Sequence, residues 1–180
     1  MEALGLRVHR QGIHPDVITV VGLLVVVLAA IPIAQGQHPL GALILLLGLP
    51  LDALDGAVAR AMGRQDRFGA VLDSTLDRYA DGIIFSALAL YFAQRDEFLG
   101  MLLALAALNG TFVVSYVRAR AGEAGLSVKI GLFSRLERIA VLLIMFAIPA
   151  LLIPGLIVLA VGTNFSGLQR LWYVYRHLDQ

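Results

Sequence analysis

Apolar residues run almost unbroken through six stretches of this chain, approximately Val17–Ala34, Leu40–Met62, Phe68–Ala93, Phe98–Arg118, Leu136–Ile153 and Gly155–Tyr175. Each is near the roughly 20 residues that a helix needs to cross the hydrocarbon core of a bilayer. None alternates strictly in the manner of a barrel strand, and only helices or closed barrels satisfy all backbone hydrogen bonds in lipid. The pattern predicts an all-α integral membrane protein with six transmembrane helices. Connections are short throughout, which leaves room for a single domain over residues 1–180. The leading segment, residues 1–16, sets Leu4, Leu6 and Val8 among Arg7, His9 and Arg10, which predicts a short interfacial N-terminal helix and not a secretory signal.

Composition sharpens the class. At 59% hydrophobic and 15% charged residues, the chain is far more apolar than a soluble domain. Its net charge of +1 conceals a segregation: of the 14 Lys and Arg residues, all but Arg95 lie on the side of the termini or in helix ends facing it. The positive-inside rule then puts both termini and the charged loops in the cytoplasm, the helices crossing the cell membrane several times. With no cysteine, disulfides, thiolate nucleophiles and cysteine-ligated metals are excluded. His9, His14, His38 and His177 show no metal-binding spacing, and no nucleic-acid partner is expected.

The chemistry is concentrated in DALDGAVARAMGRQDRFGAVLDSTLDRYAD, which spans the end of the second stretch and the start of the third. Acids at membrane depth are costly and mark functional sites. Asp52, Asp55, Gly56, Ala59 and Arg60 share one helical face, and Gly69, Asp73 and Asp77 repeat at four-residue steps on the next. Two antiparallel helices joined by a tight loop bring those faces together, with four carboxylates at the cytoplasmic end. Such a cluster stays ionised only with cations among its members. An all-oxygen donor set points to hard ions, Mg²⁺, Mn²⁺ or Ca²⁺, and four acids suit a two-ion clamp of the kind that serves displacement at phosphorus. The small residues Gly56, Ala59 and Gly69 leave space for a phosphorylated group, and Arg60 can contact a phosphate oxygen. A cation transporter using the same acids is the reading from another class; it fits poorly, because no chain of ionisable residues continues toward the opposite side.

These residues match DxxDGxxAR, eight residues, then GxxxDxxxD, so the chain resembles the CDP-alcohol phosphotransferase family. The resemblance implies a nucleotide-linked lipid donor, with Asp52, Asp55 and Asp73 as metal ligands and Asp77 as both ligand and general base. It implies two Mg²⁺ ions, with Mn²⁺ as an alternative, and a homodimer. HPDVITVVG, SYVRARAGEAGL and GLFSRLERIAVLL further resemble one subgroup, the bacterial phosphatidylinositol-phosphate synthases. That likeness assigns Asp16, Val17, Ile18 and Thr19 to donor binding along with Gly56 and Arg60, and the space left by Ala59 and Gly69 places these two beside the donor as well. It assigns Arg118, Arg138 and Arg170 to the phosphate of the acceptor, with Arg135 nearby. Arg118 stands where the subgroup usually carries lysine, Gln65 and Asp66 replace small hydroxyl residues, and Glu123 falls two places later than the acid that often follows ARA.

Arg135 and Arg138 are i, i+3 neighbours, whereas Arg118 and Arg120 point in different directions, so at most one of the latter pair faces a common site. The resemblance implies transfer of a phosphatidyl group from CDP-diacylglycerol to inositol phosphate with release of CMP, in a membrane lipid environment. The same chemistry with glycerol 3-phosphate as acceptor is the alternative.

Overall fold

The computed structural model describes residues 14–61 and 67–178, with side chains for 14, 16–50 and 68–178. The expected interfacial helix over residues 1–16 therefore lies almost wholly outside the described residues, as do Gln65, Asp66 and the side chains of Asp52, Asp55, Gly56, Ala59 and Arg60.

Among the described residues there is no strand. The described residues form six helices, Pro15–Ala34 (α1), His38–Ala61 (α2), Arg67–Ala93 (α3), Phe98–Glu123 (α4), Arg135–Ala147 (α5) and Leu152–His177 (α6), with a 3₁₀ turn at Pro149–Leu151. The residues fall into two compact units divided between Ile84 and Phe85.

In the first unit, α1 begins with His14 as N-cap and Pro15 at its first position, where a missing N–H costs nothing. Asp16 in the first turn complements the helix dipole. The connection to α2 turns at Gly36, whose φ is +84. Such a short link makes neighbours of α1 and α2, which pack on each other. Gly41 and Gly48 lie under Ile33 and Val25, where an added Cβ would come within 2.4 Å and 2.9 Å of those side chains. Small residues on one face are what lets apolar helices approach closely in lipid, where no hydrophobic effect drives association.

In the second unit, α4 and α5 both pack against α6. Leu142, Met145, Phe146, Leu156 and Leu159 are buried there. Polar bonds reinforce the packing: Asn164 Nδ2 donates to Ala106 O on α4 at 2.9 Å, and Gly110 sits directly beneath Thr163 and Asn164. The N-terminus of α5 is fixed by a capping box, in which the Ser134 backbone N–H donates to the Glu137 carboxylate at 2.9 Å.

The outer faces are inverted relative to a soluble protein. Leu24, Leu47, Leu99, Val161 and Leu168 are all more than half exposed. In water so much exposed apolar surface invites aggregation, whereas in a bilayer it is the solvated face. Among the described residues, three segments are long and apolar enough to cross a membrane, Asp16–Ala34, Phe98–Glu123 and Pro149–His177. The protein is thus a helical membrane protein.

Two boundaries differ from the sequence expectation by more than a helical turn. The fourth helix does not stop at Arg118 but continues to Glu123. The fifth ends at Ala147 and not at Ile153, because Pro149 disfavours the helical conformation in the residue before it, and Ile148 is extended at φ −120, ψ 94. At 1.5 Å per residue, α5 is only about 20 Å long.

Candidate active site: an aspartate face and an arginine cluster

In the first unit, α3 carries Asp73, Asp77 and Asp81 at four-residue steps, so all three lie along one face with Gly69 a turn before them. Asp73 is half-buried, and the Asp77 and Asp81 side chains keep only 13% and 17% of their accessible surface. Arg78 lies between the last two. Its Nη2 donates to Asp77 Oδ2 at 3.4 Å, and its Nε lies 3.9 Å from Asp81 Oδ2. The hydroxyls of Ser74 and Thr75 bond back to Val71 O at 2.9 Å and 2.7 Å, which occupies them within the helix. Carboxylates four apart on a helix repel one another, and this oxygen-only donor set suits a hard divalent cation. Asp73 and Asp77 therefore fit the metal-ligand roles assigned to them. Their expected partners Asp52 and Asp55 sit on α2 with side chains outside the described residues, and among the described residues no group of three acids or histidines shares one ion-sized space.

Of the expected donor-binding residues, Asp16, Val17, Ile18 and Thr19 occupy the first turns of α1. Asp16 pairs with His14 across 3.2 Å, Ile18 is buried, Thr19 is half-buried and Val17 is exposed. Gly69 falls in the first turn of α3. Gly56, Ala59 and Arg60 belong to α2, and their side chains lie outside the described residues.

The second unit collects arginines from three helices. Arg138 and Arg170 retain only 4% and 5% of their accessible surface. Arg170, on α6, donates from Nε to Ile130 O at 2.9 Å and from Nη1 to Val114 O at 3.0 Å. Arg138, in the first turn of α5, donates from Nη1 to Thr111 O at 3.4 Å. Arg118, on α4, is exposed, and the charges of both Arg118 and Arg138 act on Arg170. Among the described residues no carboxylate pairs with Arg118 or Arg170. Like charges gathered side by side, two of them buried, repel one another, and an anion between them lowers that cost. Planar guanidinium forks held by backbone carbonyls are arranged to receive one with several oxygens. Arg120, by contrast, is exposed and paired with Glu123 one turn on. Of the two candidates Arg118 and Arg120, the structure brings Arg118 to the cluster. Arg135 is half-buried at the first position of α5, one turn before Arg138.

Several residues here escape the sequence reading. Asp81 continues the four-residue repeat of the acids and was visible in it. The loop before α5 holds Arg170 through a backbone carbonyl, and the neighbouring Gly131 adopts φ +126 with Arg170 Nε 2.9 Å from where a Cβ would stand. Ser166 accepts from the Phe133 N–H at 3.0 Å, tying that loop to α6. Only the small polar residues Thr111, Thr163 and Ser166 inside apolar spans hint at this scaffold.

A family model described as CDP-alcohol phosphatidyltransferase matches residues 12–171. The archaetidylinositol phosphate synthase of Methanothermobacter thermautotrophicus is 39% identical, with 94% of this chain and 87% of that protein aligned. The crystal structure of phosphatidylinositol phosphate synthase from Mycobacterium tuberculosis with CDP-DAG bound superposes with a TM-score of 0.89 at 34% identity, covering 97% of this chain and 92% of that one. A second crystal structure of the same enzyme, in complex with manganese and citrate, also gives 0.89 at 34% identity over 96% of this chain and 88% of that one.

Proposed function

Because the chain belongs to the CDP-alcohol phosphatidyltransferase family, we propose that it transfers a phosphatidyl group from CDP-diacylglycerol to a hydroxyl of inositol phosphate and releases CMP. The observation that carries the acceptor is the arginine cluster. Two guanidinium groups stripped of water and a third beside them form a site for a phosphate that is already on the acceptor, not merely one that is transferred. The named relatives support the same choice. Their names differ in the lipid part, archaetidyl against phosphatidyl, yet both carry inositol phosphate.

In this reading the acceptor hydroxyl oxygen attacks the lipid-side phosphorus, the bond from that phosphorus to the bridging oxygen breaks, and CMP departs with the bonding pair. Asp77 takes the hydroxyl proton, and the Arg78 contact holds its carboxylate in one orientation. Asp52, Asp55, Asp73 and Asp77 hold two divalent ions, Mg²⁺ in the cell and Mn²⁺ as a substitute. When bound, the ions neutralise charge on the pyrophosphate. Asp16 through Thr19, Gly56, Ala59, Arg60 and Gly69 bind the donor, and Arg118, Arg138 and Arg170 with Arg135 bind the acceptor phosphate.

The remaining proposals concern the frame. All six helices cross the cell membrane, the short α5 together with the Pro149–Leu151 turn that continues it, residues 1–180 act as one catalytic domain with 1–16 at the interface, and both termini and the site face the cytoplasm. Trp172, Tyr173 and Tyr175, with Arg176 stacked on Trp172 at 4.9 Å, support a membrane–water boundary at the C-terminal end of α6. A homodimer is implied by the family.

The test is purified protein supplied with labelled CDP-diacylglycerol, Mg²⁺ and either inositol phosphate or glycerol 3-phosphate. CMP release and labelled product are expected with inositol phosphate, lost with a chelator, regained with Mg²⁺ or Mn²⁺, and abolished by Asp77→Asn. Preferential transfer to glycerol 3-phosphate would overturn the acceptor, and metal flux without CMP release would overturn the enzyme.

A further inference from the structure

Thr111 on α4 is wholly buried, and its hydroxyl has no hydrogen-bond partner among the described residues. Threonines inside helices ordinarily bond back to a carbonyl one turn earlier. Thr75 does so to Val71 O and Thr163 to Leu159 O, each at 2.7 Å. Thr111 does not, and the carbonyl one turn before it, Ala107 O, lies 3.5 Å from the Thr163 hydroxyl of α6 instead. A buried hydroxyl without a partner destabilises the resting fold, and valine has nearly the same shape without that penalty. Packing alone therefore gives no reason for threonine here.

Its neighbours supply one. Thr111, Val114 and Arg118 stand at i, i+3 and i+7, on one face of α4. The Thr111 carbonyl accepts from Arg138, the Val114 carbonyl accepts from Arg170, and Arg118 carries the third charge. The unused hydroxyl is thus set on the same face that the three arginines share, at its buried end, with its proton available to donate. Beside three cations, the ligand that completes a hydroxyl donor is an anionic oxygen.

We infer that the Thr111 hydroxyl donates a hydrogen bond to the phosphate of the acceptor, as a fourth binding group beside the arginines. The inference rests on the acceptor-phosphate reading of that cluster. The bond is made equally in the ground state and the transition state, so its loss belongs in KM and not in kcat.

Thr111→Val and Thr111→Ser decide it. The valine variant is expected to raise the KM for inositol phosphate about tenfold. Its kcat and its KM for CDP-diacylglycerol stay within about twofold of the parent protein, which is well under one hydrogen bond. Its resting form melts at the same temperature as the parent or higher, because the orphaned hydroxyl is gone. The serine variant, which keeps the hydroxyl, restores acceptor KM. An unchanged KM in the valine variant overturns the inference, and so does a serine variant as impaired as valine, since shape and not the hydroxyl would then matter. Calorimetric titration with inorganic phosphate separates this from the parent reading. If the protein transfers nothing to inositol phosphate but binds inorganic phosphate about tenfold more weakly as Thr111→Val, the acceptor assignment fails while Thr111 stands. If transfer proceeds and phosphate binding ignores the substitution, Thr111 fails alone.

Discussion

Replacing Gly131 by alanine tests whether the loop before α5 fixes Arg170. Gly131 sits at φ +126, and a Cβ there would stand 2.9 Å from Arg170 Nε and 3.3 Å from Nη2. Holding alanine in that backbone region costs about 1–3 kcal/mol. The displaced Nε is the atom that donates to Ile130 O at 2.9 Å, and losing a hydrogen bond from a charged group costs about 1.5–3 kcal/mol more. The two together set the loss at about 2.5–6 kcal/mol, or about 5–24 °C in melting temperature for a chain of this size. Gly125→Ala is the control. Gly125 also has a positive φ, +83, but nothing lies within 4 Å of the added methyl, so it carries backbone strain without touching Arg170. Thermal unfolding in detergent and acceptor KM at saturating donor read the two effects separately. Gly131→Ala is expected to lower the melting temperature and raise acceptor KM, whereas Gly125→Ala loses about 1–2 kcal/mol of stability and leaves KM alone. If the two variants melt together and bind acceptor equally well, the loop backbone does not hold the guanidinium.

Two further comparisons follow the same logic. Arg138→Ala removes a buried charge from the cluster and should raise acceptor KM about 10- to 100-fold with donor KM nearly unchanged, whereas Arg120→Ala, which loses only an exposed pair with Glu123, should leave both constants alone; steady-state kinetics on both substrates checks this, and an acceptor KM unmoved by Arg138→Ala would return that residue to a purely topological role. Gly110→Ala would place a methyl 2.2 Å from Thr163 Oγ1 and 2.7 Å from the Asn164 backbone nitrogen, so α4 and α6 must separate at a cost of about 1–3 kcal/mol. Gly22→Ala, which meets nothing within 4 Å, should be neutral or slightly stabilising by thermal unfolding, and equal losses from the two would contradict the close packing of α4 on α6.

What could be read from the residues alone follows from which interactions leave a mark on side-chain identity. Lipid demands long apolar runs, so the helices were legible almost to their ends; the fifth was misplaced because Leu136–Ile153 is apolar throughout, and hydropathy outweighed the one residue, Pro149, that breaks it. A charge at membrane depth is costly enough to demand a purpose, which made Asp73 and Asp77 stand out before any coordinates, whereas Arg138 and Arg170 were marked by the likeness to one subgroup. Helical spacing showed that Arg118 and Arg120 diverge, but not which of them turns inward; that is decided by Glu123, one turn beyond Arg120. The supports of the cluster left no such mark. Arg170 is held by the carbonyls of Ile130 and Val114, and Arg138 by that of Thr111, and every residue has a carbonyl. Substituting Ile130 or Val114 leaves its oxygen in place, so a side-chain scan will score both as ordinary apolar positions although they orient Arg170. The backbone's part in this site is reached only through residues that set its path, which is why Gly131, next to one of those carbonyls, is a more informative position than the residues whose oxygens do the holding.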